Sequence, residues 1–153
     1  MSAQITVTLF EEDENFAKLV VQHLLPEYDV VQVCHNRRNV MMEFDLAYGG
    51  DLEGNHDIWG CGSNAEREPG ERKAPRAIIF RPELTEDFLN AMQNQVFQSK
   101  AGGAVVAIPR QLGAHDDMAR ILRIRQALDE QVANGAFSEP SKPARRCLGT
   151  LVM

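Results

Sequence analysis

The sequence has few cysteines, no long apolar stretch and no excess of basic residues. Its three cysteines, Cys34, Cys61 and Cys147, are odd in number and irregularly spaced, which favours reduced thiols over a disulfide framework. No run approaches the ~20 apolar residues of a membrane-spanning helix. The formal net charge of −6 disfavours nucleic acid and anionic membrane surfaces as general partners. We therefore expect no nucleic acid and no membrane among its partners.

The first residues of the chain and its length bear on two properties, the compartment of the protein and its number of domains. The opening MSAQITVTLFEEDE lacks the basic start and apolar core of a secretory signal, so we expect a cytoplasmic protein. The 153 residues, 44% of them hydrophobic, are enough for one domain with a core of its own. We predict a single domain over residues 1–153.

Short apolar runs alternate with amphipathic segments along the chain. The apolar runs predict β-strands at residues 5–10, 28–34, 77–80 and 103–108, with a fifth candidate, CLGTLVM, at 147–153. Helical spacing and capping residues predict helices at residues 13–24, 39–48, 85–96 and 116–132. This alternation predicts an α/β fold, a three-layer α/β/α sandwich around a mostly parallel five-stranded sheet.

The segment 116–132 is the clearest helix. Met118, Leu122 and Val132 share its predicted inward face with Ile121, Arg125 and Leu128, and its other face carries Arg120 and Arg123. Three arginines at positions 120, 123 and 125 belong to the same segment. They form either a docking stripe for an acidic partner or an ordinary solvated surface.

Residues 49–75 differ in composition from their surroundings. They hold six of the eleven glycines and a charged tail, EREPGERKAPR, without a helical or strand period. We predict a flexible glycine-rich insertion. Ile58 and Trp59 in it are candidates for binding a partner, because large aromatics on loops are frequent anchors. The alternative is that both side chains pack onto the core and fix the loop.

The stretch APRAIIFRPEL at 74–84 ends a buried strand with a fixed positive charge, Arg81. Glu11, Glu12 and Asp13 follow the first strand, and the carboxyl ends of parallel strands share one edge of the sheet. Clustered acids repel one another and favour a nearby cation. A guanidinium hydrogen-bonded to Glu11 or Glu12 could supply it permanently. The alternative is that Arg81 points into solvent.

These segments resemble response-regulator receiver domains, the CheY-like fold. LFEEDENFAKLVVQHL resembles their first strand and acidic loop, which implies that Glu11 and Glu12, with Asp13 next to them, match the Mg²⁺-binding positions. PRAIIFR resembles their third strand, with Arg81 where the family has its phosphorylated aspartate. GAFSEPSKP at 135–143 is similar in spacing to the segment with the family's lysine, which would be Lys142.

The resemblance implies an atypical, degenerate receiver that lacks the phospho-acceptor and acts in signalling or regulation by protein–protein interaction. It implies a protein partner, with a homodimer as one form of it. We expect neither a cofactor nor a bound metal, because Arg81 would compete with Mg²⁺ for the same carboxylates. In agreement, Cys34, His35, His56 and Cys61 lack the paired spacing of zinc ligands.

Two other classes of function remain open at this stage. A small flavodoxin-like enzyme or ligand-binding protein would use the loops at 49–62 and 108–115. The acidic EEDEN loop after the first strand disfavours it, because phosphate sites in such folds present backbone N–H groups there. An accessory subunit of a larger assembly is the other class.

Overall fold

A computed structural model describes residues 4–52, 59–81, 85–95, 104–109 and 116–137. Its strands and helices alternate along the chain: β1 (Ile5–Phe10), α1 (Glu14–Leu24), β2 (Tyr28–Cys34), α2 (Arg37–Tyr48), β3 (Ala77–Ile79), α3 (Glu86–Gln95), β4 (Val105–Ala107) and α4 (Asp117–Ala133). Two short 3₁₀ turns, Ser63–Glu66 and Pro69–Glu71, lie between α2 and β3. None of the helices in these ranges is both long and apolar enough to cross a membrane.

The strands form one parallel sheet in the order β2-β1-β3-β4. The predicted α/β class and the parallel pairing are confirmed. The predicted number of strands is not, because the sheet has four strands within the described residues instead of five. The fifth candidate, at 147–153, lies outside the described residues.

Side-chain caps set the starts of the helices. The Asp13 carboxylate accepts a hydrogen bond from the backbone N–H of Phe16 at 3.2 Å, as predicted for the start of α1. α2 begins two residues before the predicted position, because Asn36 caps it through the N–H of Asn39 at 2.7 Å. Asp116 caps α4 through the N–H of Ala119 at 2.8 Å.

The sheet separates two apolar layers. On one face α1 and α4 pack side by side over alternate residues of all four strands, among them Val7, Val30, Ile79 and Val105. On the other face α2 and α3 cover the remaining strand residues, among them Ile78 and Val106. β3 and β4, buried on both sides, are apolar at every position, whereas β1 and β2 also bury the polar residues Thr6, Thr8, Asp29 and Gln32.

The rotation of α4 differs from the predicted one. Its buried residues are Ile121, Ile124, Ala127, Leu128 and Gln131. Met118, Leu122 and Val132, predicted to face inward, are 54%, 50% and 44% exposed. The helix carries apolar residues on two adjacent stripes, and only one of these stripes is buried. In this rotation the arginines of the helix contact α1 and the sheet.

The segment between α2 and β3 is anchored to the edge strand β2. Asp29, buried in β2, accepts hydrogen bonds from the Ser63 hydroxyl at 2.5 Å and from the Arg67 guanidinium at 2.9 Å. The amide of Asn64 bonds the backbone of Lys73 in both directions, at 2.8 and 2.9 Å. All seven residues of β2 are buried, so this part of the predicted insertion packs against an edge strand that would otherwise face water.

Replacing Arg67 with alanine should destabilise the fold. The substitution leaves the Asp29 carboxylate buried without its cation, and we expect the free energy of unfolding to fall by about 2 kcal/mol. That is less than the ~3–5 kcal/mol of fully buried pairs, because the Arg67 side chain is partly exposed. Urea denaturation would measure the change. Glu68→Ala, on the exposed surface of the same segment, is the matched control and should stay within about 0.5 kcal/mol of wild type. Equal stabilities for the two variants would contradict this anchoring role.

Candidate functional site

The candidate site lies at the carboxyl edge of the sheet, between β1 and β3. α1 leaves β1 toward one face and α3 follows β3 on the other, so a crevice opens where the two connections diverge. Open α/β sheets bind their ligands in such crevices. Glu11 and Glu12 continue β1 into this crevice, and Arg81 enters it shortly after β3.

Glu11 is the buried acid of the site. The residue is 4% exposed, and its Oε2 accepts hydrogen bonds from the backbone N–H groups of Glu12 and Asp13, both at 3.0 Å. Its own N–H donates to the carbonyl of Cys34 at the end of β2. The turn from β1 into α1 is therefore closed around this carboxylate.

Two arginines reach the acids from different elements. Arg81 Nη1 donates a hydrogen bond to Glu12 Oε1. Arg120, from the first turn of α4, places Nη2 3.9 Å from Glu11 Oε1 and Nη1 3.6 Å from an Asp117 oxygen. We call these five side chains the ion array: Glu12, Arg81, Glu11, Arg120 and Asp117. Negative and positive groups alternate along it.

The Arg120 guanidinium is also stacked on α1. Its Cζ lies 3.7 Å from the centroid of the Phe16 ring, a close cation–π contact. The same side chain therefore touches α1, the end of β1 and the start of α4. This contact orients the guanidinium toward Glu11, whose carboxylate is the most buried anion of the ion array.

Burial dominates the electrostatics of Glu11. Loss of water raises the pKa of its carboxyl, while the backbone N–H of Asp13 and the charges of Arg81 and Arg120 act in the opposite direction. The two guanidinium groups thus offset part of the desolvation of a buried carboxylate. Within the described ranges, no group of three or more His, Cys, Asp or Glu side chains is arranged to hold a metal ion.

The sequence-predicted residues divide into three groups. Glu11, Glu12 and Arg81 come together in the crevice. Asp13 lies beside them, but its carboxylate caps α1. Lys142 lies outside the described residues.

The predicted partner-binding residues are described only in part. Ile58 lies outside the described residues. Trp59 is partly buried against the apolar layer under α1 and α4, with its ring 5.7 Å from the ring of His35. Its role as a partner anchor stays a prediction.

Sequence reasoning did not identify Arg120 as part of the site. It placed this residue on a docking stripe or a solvated face, whereas the side chain turns inward to Glu11 and Phe16. One signal was available: Arg120 lies in the first turn of a helix that starts from the same sheet edge as the acids. The rotation that brings it inward depends on contacts distant in sequence.

Glu11→Gln should change how stability depends on pH. Because the pKa of Glu11 is raised, the folded state holds this proton at a higher pH than the unfolded chain does. Its contribution to stability is therefore complete below the unfolded-state pKa and is lost as pH rises through the folded-state pKa. We expect Glu11→Gln to be at least as stable as wild type at pH 7, with wild type gaining on it as pH falls.

Urea denaturation at a series of pH values between about 4 and 7.5 would follow this difference. Glu68→Gln, which removes an exposed carboxylate, is the control and should track wild type throughout. A constant gap between wild type and Glu11→Gln over this range would show that the Glu11 pKa is not raised.

The chain was compared with protein-family models, curated proteins and solved structures. No family model, curated protein or solved structure gave a significant match. The functional conclusion therefore depends on the geometry of the ion array and on the resemblance in the sequence.

Proposed function

We propose that this protein is a receiver-like regulatory domain that cannot be phosphorylated in the family's way and acts through protein–protein contacts. The ion pair between Arg81 and Glu12 is the observation that carries the proposal, because it occupies the crevice where this type of sheet binds ligands. A guanidinium in the phospho-acceptor position has no carboxylate oxygen with which to accept a phosphoryl group.

The ion array also competes with a metal for the acids. Mg²⁺ binds through carboxylate oxygens and water in near-octahedral geometry. Glu12 is hydrogen-bonded to Arg81, and both oxygens of Glu11 have partners in the backbone and Arg120. Arginine stays protonated at any physiological pH, so this neutralisation does not depend on a ligand. Acids that are already neutralised by arginines favour a role in protein–protein contacts over one in metal binding or phosphoryl transfer.

The strand order supports the receiver-like assignment over part of the chain. The order β2-β1-β3-β4 equals the first four strands of the flavodoxin and CheY order 2-1-3-4-5. In that order, a right-handed connection from β4 to a fifth strand would run on the face of α2 and α3. Here α4 packs beside α1 on the other face. The likeness is therefore limited to β1 through β4.

A metal titration tests whether Arg81 prevents the acids from binding Mg²⁺. We expect Mg²⁺, with or without beryllofluoride, to leave the Trp59 fluorescence and amide NMR shifts of the wild type unchanged. Arg81→Asp should gain Mg²⁺ binding with shifts centred on residues 11–13, because it removes the counter-ion and adds a carboxylate. Adding Arg120→Gln to this variant should tighten the binding further, since Glu11 then loses its second guanidinium.

Arg38→Asp is the matched control for the change of charge. Arg38 is exposed at the start of α2, and its replacement should leave the protein as insensitive to Mg²⁺ as the wild type. Mg²⁺ binding by the wild type would show that Arg81 does not neutralise the acids. If Arg81→Asp also failed to respond, the receiver mechanism would be wrong.

A further inference from the structure

α4 presents a stripe of exposed and partly exposed residues along one flank of its solvent-facing side. Its members recur at alternating intervals of four and three residues, the spacing with which two helices pack along a seam. They are Ala119, Arg123, Gln126, Glu130 and Ala133, which we call the α4 stripe. Gln126 and Ala133 are exposed, and the other three are partly exposed. Leu122, 50% exposed, borders the stripe and adds apolar surface.

The charges of the α4 stripe lack ion-pair partners in the described part of the chain. Arg123 makes one long hydrogen bond, 3.4 Å from Nη1 to Gln126, and its Nε is buried without an acceptor among the described residues. Glu130 forms no side-chain hydrogen bond or ion pair with any described residue. By contrast, Arg120 faces Glu11, and Arg125 binds Glu27 at 3.0 Å.

The α4 stripe is complementary to itself when reversed. In an antiparallel pair of α4 helices with a two-fold axis beside Gln126, Arg123 lies opposite Glu130 of the second copy, and the same pair forms again across the axis. Alanines 119 and 133 then lie opposite each other at both ends, where small side chains allow the helix axes to approach closely. A parallel pair would instead oppose Arg123 to Arg123 and Glu130 to Glu130, which is unfavourable.

We propose that the α4 stripe binds the α4 stripe of a second copy of this chain, in an antiparallel two-fold dimer held by two reciprocal Arg123–Glu130 ion pairs. This goes beyond the proposed function, which names no partner, and does not rest on it, because the α4 stripe contains none of the ion array's residues. Arg120 and Arg125 contribute indirectly. Their contacts with α1 and with the ends of β1 and β2 fix the rotation of α4 that presents the stripe.

The expected size of the interface determines the protein concentrations at which the dimer should be detected. One pair of 17-residue helices buries less than the ~800 Å² per partner of a standard stable interface, so the dimer should be weak and concentration-dependent. Sedimentation velocity from roughly 1 to 500 µM covers this regime of weak complexes.

Charge reversal gives a specific test. Arg123→Glu places Glu opposite Glu in the homodimer, and Glu130→Arg places Arg opposite Arg, so each variant alone should weaken dimerisation by at least about tenfold. Mixed in equal amounts, the two variants should form a heterodimer, because both cross-axis pairs then join Arg to Glu. The double variant Arg123→Glu/Glu130→Arg should dimerise like the wild type for the same reason.

Controls separate this interface from folding and from the ion array. Circular dichroism should show equal helix content in all variants, and the exposed Arg38→Glu should dimerise like the wild type. Arg81→Asp should also dimerise like the wild type, so that failure of the metal test and failure of the dimer test are distinguishable. A monomeric wild type at 500 µM, about the top of this range, or a mixture of the two single variants that stays monomeric, would overturn the proposed dimer.

Discussion

The buried carboxyl group of Glu11 is the constraint on which the carboxyl edge of this protein depends. Such a group is tolerated away from water only when hydrogen bonds and opposite charges surround it. Two backbone N–H groups of the following turn, Arg120 from α4 and the field of Arg81 meet this requirement. The starts of α1 and α4 are thereby held at the Glu11 carboxyl, and the end of β3 is held at the neighbouring Glu12 by Arg81.

Much of the fold could be predicted because its signals are local. β1 consists of β-branched and apolar residues, β2 is mostly apolar apart from Asp29 and Gln32, and both strands occupy the predicted residues. Asp13, Thr85 and Asp116 mark helix starts, because short polar side chains bond the N–H groups of the first turn. The contact between Glu12 and Arg81 could be predicted from the positions of the strand ends, because parallel strands bring their carboxyl ends to the same edge of the sheet.

The features that could not be predicted depend on contacts distant in sequence. α4 carries two apolar stripes of similar strength, and only its packing on α1 shows which one is buried. The position of Arg120 in the site depends on the same packing of α4 on α1, so it could not be predicted from the sequence. The anchoring of Arg67 on Asp29 links a segment without periodicity to a residue of β2 that lies 38 positions earlier in the chain. Composition therefore indicated an insertion there without indicating where it packs.

The parallel arrangement of α1 and α4 has an electrostatic consequence for this edge of the sheet. Both helices begin beside Glu11, since Arg120 in the first turn of α4 meets Phe16 in the first turn of α1. Each helix start carries a partial positive charge of about half a proton from its aligned peptide dipoles. The backbone thus adds to the field of the two guanidinium groups. Asp13, Glu14 and Asp117 lie at these helix starts, so the helix dipoles offset part of the negative charge of the carboxylates at this edge.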